Sequence, residues 1–215
     1  MILYHCMSAR SFRPLWTLEE MGLAYELKVL PFPPRAFAKD YFGVNVLGTV
    51  PFLVDGDTRM SESAAICEYL AVRHGPTPLA VTPDEADYGL WLNWLHQSDA
   101  TLTFPQTLVL RYGRFEPAER RQPQVVEDYA KWFHGRLRML DAHLLVHEWL
   151  AGGRFTVADV AVGYALMLAE TIGLSKDFQP QTAAYWQRLR GRDGYRRALA
   201  AQEKAAAEQG VKPGF

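Results

Sequence analysis

A proline-rich segment near residue 76 divides the chain into two parts of different character. Residues 75–84 read GPTPLAVTPD and contain three prolines, which is typical of a linker because proline interrupts both helices and strands. Before this segment short β-type runs alternate with helical patterns, and after it every pattern is helical. We therefore predict two unequal domains, residues 1–75 and 85–215, joined by a linker over residues 76–84.

The part before the linker follows the order βαβ, helix, ββ, helix. Phe12 and Leu15 recur at helical spacing, and Gly22 is a suitable residue to end that helix. An Asp-Gly pair at positions 55–56 is a hairpin turn signal between two short apolar runs. We predict strands over residues 1–5, 25–30, 51–54 and 58–60, and helices over residues 11–22, 35–42 and 61–74.

The part after the linker is predicted to be all helical. Thr156 with Asp159 three residues later is a variant of the capping box, and Phe155 with Val160 is a hydrophobic staple. The helix that follows is apolar nearly all round, so we expect it in the centre of a bundle. We predict helices over residues 84–114, 123–147, from 156 onward, 181–191 and 195–208.

Composition excludes several classes of protein. Of the 215 residues 49% are hydrophobic, which is enough for a packed core and excludes general disorder. The net charge of −1 gives no reason to expect nucleic acid or a membrane surface as a partner. The two cysteines, Cys6 and Cys67, exclude a disulfide-rich scaffold. No signal peptide is visible, and the longest apolar run, 157–169, is too short for a bilayer. We predict a cytoplasmic protein.

Two loops before the linker could carry chemistry. Ser8 and Ser11 lie between a predicted strand and a helix, where the positive end of the helix stabilises an anion. A plain helix-capping role explains these two hydroxyls as well. Val50 and Pro51 begin another strand, and a cis bond there would leave the Val50 backbone able to pair with an extended ligand. From spacing alone the trans form is the more common isomer.

Two further features involve helices. Glu62 and Ser63 stand directly before a helix, where they suit the ammonium and carboxylate of a ligand, or simply form an acidic N-terminal turn. An aromatic row on the helix 84–114 would more often be core than a binding wall. The row consists of Tyr88, Trp91, Trp94, Phe104 and Tyr112.

Taken together, four motifs resemble the glutathione S-transferase family, of the bacterial type, over nearly the whole chain. Ser8-x-x-Ser11 stands where thioredoxin-fold proteins carry a C-x-x-C motif or a serine variant. Residues 45–51, NVLGTVP, resemble the family's N-P-x-G-x-V-P segment, and residues 61–66, SESAAI, resemble its glutathione-binding S-E-S-x-A-I. Residues 155–159, FTVAD, match the folding motif of the second domain.

The resemblance implies an α+β protein of two domains, a thioredoxin-like βαβαββα domain followed by an all-α bundle. It implies a homodimeric enzyme of detoxification type with glutathione as cosubstrate and no permanently bound cofactor. Pro51 should then be cis, Val50 should pair with the cysteinyl part of glutathione, and Glu62 and Ser63 should hold its γ-glutamyl end. Ser8 would hold the sulfur as a thiolate by a hydrogen bond, with Ser11 as the rival.

The sequence also departs from the family pattern. Arg10 stands at the position of the family's catalytic cysteine, so a serine mechanism is favoured, and we place Arg10 among the glutathione-binding residues. Thr49 replaces the lysine that normally precedes Val-Pro, and Lys39 or Arg35 would substitute for it. The hydrophobic electrophile is predicted to contact Met7, Trp94, Ser98, Phe104 and Tyr112.

The same motifs are compatible with other functions. Glutathione-dependent ether cleavage, dehalogenation, isomerisation or peroxidase activity would use the same scaffold, and a non-catalytic binding or regulatory protein is the alternative from a different class. His143 and His147 have the spacing of two metal ligands on one helix face, but Leu144 stands where the metalloprotease pattern has Glu. We therefore predict no metal site.

Overall fold

The computed structural model describes residues 1–212, which form two compact units. The first unit contains residues 1–80 together with the segment from Arg190 onward, and the second contains Val81–Leu189. Among the residues described, none of the helices combines the length and the apolar character needed to cross a membrane.

A four-stranded mixed sheet is the centre of the first unit. Its strands are β1 (Ile2–His5), β2 (Glu26–Val29), β3 (Phe52–Asp55) and β4 (Thr58–Met60). Their order is β2-β1-β3-β4, with β1 parallel to β2 and the other two pairs antiparallel. On β1 the side chains of Leu3 and His5 are fully buried while those of Ile2 and Tyr4 are partly exposed, as the two-residue period of a strand requires.

Three helices alternate with the strands of this unit. They are α1 (Phe12–Met21), α2 (Pro34–Phe37) and α3 (Ser63–Arg73), with a 3₁₀ turn over Lys39–Gly43. Helix α1 ends at Gly22, whose φ of 63° is left-handed and therefore suits glycine. Helices α1 and α3 pack together over an apolar core that includes Leu15, Trp16 and Leu70. The elements follow in the order β1, α1, β2, α2, β3, β4, α3, which confirms the predicted order of strands and helices.

The second unit is a helical bundle. Its helices are α4 (Tyr88–Gln97), α5 (Phe104–Leu110), α6 (Pro123–Leu144), α7 (Val157–Thr171) and α8 (Pro180–Arg190). The predicted helix 84–114 is interrupted by π-helical turns at Ser98–Thr103 and Arg111–Phe115. Pro105 follows the first of these turns, and its lack of an N–H breaks the regular α-helical hydrogen bonding there.

Helix α7 lies in the centre of the bundle, as its apolar sequence predicts. Every residue from Val157 to Ala169 is buried. The predicted capping box is confirmed, since the Thr156 hydroxyl accepts from the Ala158 N–H and the Asp159 carboxylate accepts from the Thr156 N–H at 2.8 Å. Helix α7 is therefore held at its N-terminus by side chains that are themselves in the core.

The last helix, α9 (Asp193–Glu208), packs against α1 and β2 in the first unit. Arg192 forms a two-pronged ion pair with Glu20 of α1, at 2.8 and 2.9 Å. Gln209 exchanges two hydrogen bonds with the backbone of β2, with Leu27 and Val29. The compact units thus differ from the predicted domains at the C-terminus, because α9 returns to a surface that lies far away in sequence.

Candidate active site

The strand register brings three loops to one edge of the sheet. Strand β1 ends at His5, and antiparallel β3 begins beside it because Tyr4 pairs with Phe52. Strand β4 ends at Met60, which pairs with Leu53 near the start of β3. The loop after β1, the segment before β3 and the segment after β4 therefore share this edge. All three carry residues of the predicted glutathione site.

Ser8 lies in the loop between β1 and α1 in an unusual conformation. Its φ of 56° makes it the one residue other than glycine with positive φ in the described chain. This left-handed region is unfavourable for a residue with a Cβ unless its surroundings hold it there. The Ser8 side chain is half-buried, and its N–H donates to Gln202 Oε1 of α9 at 3.1 Å. A contact from a distant helix thus meets the loop at Ser8 itself.

Ser11 occupies a different environment from Ser8. It is fully buried, and its Oγ lies 2.9 Å from His5 Nδ1 and accepts from the Cys6 N–H at 3.2 Å. It precedes α1, but its side chain makes no capping hydrogen bond to the helix. The structure therefore gives the Ser11 hydroxyl an internal role in the loop.

His5 is a polar core residue that the sequence analysis did not identify. Its Nε2 lies 3.1 Å from Gln202 Oε1, and burial, as the largest cause, lowers the pKa of His5 to about 4. His5 is therefore neutral near pH 7. Its position two residues after Leu3 on a half-buried strand indicates burial, but nothing local indicates Gln202 as its partner.

The segment before β3 is held by two side chains that the sequence analysis did not assign to the site. Tyr41 OH and Asn45 Nδ2 both donate to the Thr49 carbonyl, each at 2.9 Å. The Val50–Pro51 bond is cis, as the resemblance predicts. Val50 lies beyond Phe52, the residue at which the pairing of β3 with β1 stops.

The N-terminus of α3 contains a buried cation. Ser63 is 4% exposed, and its Oγ accepts from the Arg13 guanidinium at 2.9 Å. Arg13 comes from α1 and is fully buried. Glu62, just before the helix, is exposed and makes no capping hydrogen bond. A guanidinium charge and the positive end of a helix therefore act at the same place.

The other predicted glutathione-binding residues lie in the same unit. Arg10 is half-buried in the turn that leads into α1. Lys39 is exposed in the 3₁₀ turn, where it lines a cleft of about 570 Å³ together with Tyr4 and Tyr41. Met7, predicted to contact the electrophile, is half-buried directly before Ser8.

The second unit corrects part of the predicted electrophile pocket. Trp94 is 1% exposed and packs its ring against His143, and Ser98 is fully buried and donates to the Leu95 carbonyl at 2.6 Å. Trp94 of α4 and Ser98 of the following π-helical turn are therefore interior residues of the second unit, and neither presents surface to a ligand. Phe104 is 47% exposed and Tyr112 is half-buried, so both have surface for a ligand.

His143 lies in the last turn of α6, but His147 lies beyond the end of that helix at Leu144, so the two histidines do not share a helix face as predicted. The rings of His143 and His147 stack with centroids 4.3 Å apart, and His143 Nε2 lies 3.0 Å from the Trp149 carbonyl. Within residues 1–212 no group of three His, Cys, Asp or Glu side chains is arranged to hold a metal ion.

Comparison with known proteins identifies the class of protein that this fold and site define. Residues 7–73 match the N-terminal domain of glutathione S-transferases, and residues 106–193 match the C-terminal domain. A probable glutathione S-transferase of Oryza sativa subsp. japonica is 30% identical over 181 residues, which cover 81% of this chain and 84% of the relative. A glutathione S-transferase of Escherichia coli O157:H7 is 27% identical and covers 94% of this chain and 98% of its own.

Solved structures agree with these relatives. A sphingomonad glutathione S-transferase complexed with glutathione superposes with a TM-score of 0.82 at 25% identity, and the match covers 94% of this chain and 99% of the other. The chain belongs to the glutathione S-transferase family. It is a transferase enzyme with a thioredoxin-like N-terminal domain, a helical C-terminal domain and glutathione as cosubstrate.

Proposed function

We propose that Ser8 activates glutathione by donating a hydrogen bond from its hydroxyl to the cosubstrate's sulfur. The observation that carries the proposal is the contrast between the two serines of the loop. The Ser11 side chain is enclosed with His5 and Cys6 in the interior, whereas Ser8 is half-buried at the sheet edge. Of the two serines, Ser8 is therefore the one with exposed surface for a ligand.

The chemistry needs an anion at the sulfur. A free thiol has a pKa of about 8.5, so only a few per cent is thiolate at neutral pH. A hydroxyl donor to the sulfur, beside the N-terminus of the ten-residue helix α1, lowers that pKa by stabilising the charged form. The thiol proton passes to solvent, the thiolate forms a bond to the electrophilic carbon, and the leaving group departs with its electron pair. Ser8 forms no covalent bond in this reaction.

Glutathione would lie along the edge shared by the three loops. We assign the cysteinyl residue of the tripeptide to the Val50 backbone, which lies beyond the end of the pairing between β3 and β1. Ser63 Oγ accepts a hydrogen bond from the Arg13 guanidinium, so its own O–H can donate a hydrogen bond to the γ-glutamyl carboxylate. The exposed Glu62 carboxylate would accept from the γ-glutamyl ammonium. We assign binding of the glycyl carboxylate to the cationic side chains of Arg10 and Lys39.

The second substrate is proposed to be a hydrophobic electrophile. Phe104 and Tyr112 present aromatic surface on the second unit, and the ring of Phe104 is in edge contact with that of Tyr129. In the first unit, Met7 next to Ser8 is an adaptable apolar side chain. Apolar and aromatic surface of this kind binds by area and shape, which suits an aryl or alkyl electrophile.

The serine mechanism is tested by the Ser8→Ala variant with chlorodinitrobenzene as a chromogenic electrophile. We expect kcat to fall by about 10- to 100-fold, because a hydrogen bond to a charged group contributes about 1.5–3 kcal/mol. The ultraviolet absorbance of bound thiolate, titrated with pH, should show that the thiol pKa rises. The KM for glutathione should change little, because the γ-glutamyl contacts remain.

Ser11→Ala is the matched control. It removes a buried hydrogen bond to His5 and should lower the free energy of unfolding while shifting the thiol pKa less than Ser8→Ala does. If Ser11→Ala raises the thiol pKa and Ser8→Ala leaves it unchanged, the assignment to Ser8 is wrong.

We also propose a homodimer. On the first unit Val46 is 84% exposed, Leu47 61% and Val72 64%, and Val72 lines an apolar cleft of about 560 Å³ with Met60 and Tyr69. Apolar side chains exposed to this degree favour a covering partner. Sedimentation equilibrium should give twice the mass of one chain, and Val72→Asp should shift the equilibrium toward the monomer. A wild-type protein that sediments as a monomer at micromolar concentration would contradict the proposal.

The cysteines are consistent with a cytoplasmic location, which we propose for this protein. Cys6 and Cys67 are both free and buried, and burial raises the pKa of each thiol to about 12. Cell fractionation with an antibody to the chain tests the location, and recovery from a membrane or secreted fraction would contradict it.

A further inference from the structure

The last helix contributes one buried amide to the loop that carries Ser8. Gln202 of α9 is 3% exposed, and its Oε1 lies 3.1 Å from both the Ser8 nitrogen and His5 Nε2. These contacts span 194 and 197 residues of sequence. A single acceptor atom thus joins the end of the chain to β1 and to the loop after it.

The donors around Gln202 determine the orientation of its amide. The Ser8 backbone N–H can only donate, so the atom facing it must be the oxygen of Gln202 and not the NH₂ group. The same oxygen then requires a proton on His5 Nε2, which leaves His5 Nδ1 to accept from the Ser11 hydroxyl. The Ser11 hydroxyl has a second acceptor, the Cys6 carbonyl at 3.3 Å, but the proton on His5 Nε2 is required in either case.

The contact falls on the residue whose backbone most needs support. Ser8 has a φ of 56°, a conformation in which its Cβ is crowded by the backbone. The position of the Ser8 hydroxyl follows from this φ, because the Cα–Cβ bond direction is set by the backbone. A change to a negative φ would turn the side chain away from its present direction and release the N–H from Gln202.

We propose that Gln202 is a positioning residue for thiol activation, holding Ser8 in the left-handed conformation through its N–H, with His5 orienting the amide. The inference rests on the proposed role of Ser8. It adds that the activating hydroxyl is aimed by α9, a helix that contributes no group to the reacting atoms. Loss of the acceptor would leave the hydroxyl present but misdirected.

The test compares Gln202→Met with wild type. Methionine has a similar length and no carbonyl acceptor, so the Ser8 and His5 donors lose their partner. We expect kcat with chlorodinitrobenzene to fall by about tenfold, since a misplacement of about 1 Å at a reacting centre costs up to a hundredfold. The pKa of the bound glutathione thiol should rise, and the KM for glutathione should stay unchanged because α3 is intact. A purely structural role would lower stability without moving the thiol pKa.

Gln209→Met is the matched control on the same stretch of chain. Gln209 also binds the first unit through two hydrogen bonds, but its partners are Leu27 and Val29 of β2. This variant should lose stability and keep the wild-type thiol pKa. Gln202→Glu is the rescue variant, because a carboxylate can accept from the Ser8 N–H and from the Nε2–H of neutral His5, and it should keep most of the wild-type kcat. If Gln202→Glu loses as much activity as Gln202→Met, the acceptor role is wrong.

Two further measurements separate positioning of Ser8 from an effect on folding. If Gln202→Met does not fold, the Gln202→Asn variant moves the acceptor away from Ser8 by the length of one methylene and should also raise the thiol pKa. If the thiol pKa of Gln202→Asn equals that of wild type, the inference is wrong. In a Ser8→Ala background Gln202→Met should cause no further loss of kcat, because it acts through Ser8. If Ser8→Ala leaves kcat and the thiol pKa unchanged, the proposed function is wrong. If Ser8→Ala lowers kcat but Gln202→Met keeps the wild-type thiol pKa, as the Gln209→Met control does, only this inference is wrong.

Discussion

The carboxylate of Asp159 accepts four hydrogen bonds inside the second unit. Its Oδ1 takes the Leu150 N–H at 3.1 Å and the Tyr185 hydroxyl at 2.8 Å, and its Oδ2 takes the Thr156 N–H at 2.8 Å and the Thr156 hydroxyl at 3.1 Å. All four residues are fully buried, so water does not replace a lost partner. The Asp159→Asn variant keeps the shape of the side chain and replaces one of its two acceptors with a donor.

Asp159→Asn lowers the free energy of unfolding because it leaves a buried backbone N–H without an acceptor. Whichever way the Asn amide turns, its NH₂ group faces one backbone N–H, either that of Leu150 or that of Thr156. The neighbouring hydroxyl can rotate, but the backbone N–H cannot. A stranded buried donor costs about 1–3 kcal/mol, and the retained bonds lose their charge assistance, so we expect a loss of about 2–4 kcal/mol. Asp159→Ala leaves both N–H groups and the Tyr185 hydroxyl without an acceptor, and we expect it to lower the free energy of unfolding by about 3–6 kcal/mol.

Urea unfolding followed by tryptophan fluorescence measures this loss, since five of the six tryptophans lie in the second unit. Burial raises the pKa of Asp159 to about 6, so the measurement belongs at pH 8, where the carboxylate is ionised. Glu170→Gln on the same helix is the control, since Glu170 is exposed and its change should stay within about 0.5 kcal/mol. The reasoning would be refuted if Asp159→Asn lowered the free energy of unfolding no more than Glu170→Gln does, with the same slope of that free energy against urea concentration.

Two further predictions concern the first unit. Burial lowers the pKa of His5 from 6.5 to about 4, so between these pH values the unfolded chain binds a proton that the folded chain excludes. The free energy of unfolding should therefore fall by about 3 kcal/mol as the pH drops through this range. In urea unfolding measured at several pH values, a His5→Phe variant should lack this pH dependence. Arg13→Met removes the buried guanidinium that donates to Ser63, and the KM for glutathione should rise by about tenfold with a smaller change in the thiol pKa, because one charge-assisted bond is lost at the γ-glutamyl end; an unchanged KM would exclude Arg13 from glutathione binding.

Local patterns in the sequence were sufficient to predict the element order, the capping box at Thr156 and the burial of α7. Each depends on residues a few positions apart, where helix and strand periodicity or a side-chain cap acts within one element. The motif around Val50 and the segment before α3 are local in the same sense. Their meeting at one sheet edge follows once the strand order is known.

The sequence by itself therefore determined the class of protein and indicated the segments that we propose for its glutathione site. Tertiary structure decided which side chains within those segments are available. Ser8 and Ser11 are equivalent in a motif, but packing buried Ser11 beside His5 and left Ser8 at the edge. Gln202 and Arg13 reach the site only because α9 and α1 fold back against the sheet and α3. A buried polar residue must find its partner wherever the chain brings one, and that partner has no signature in the neighbouring sequence.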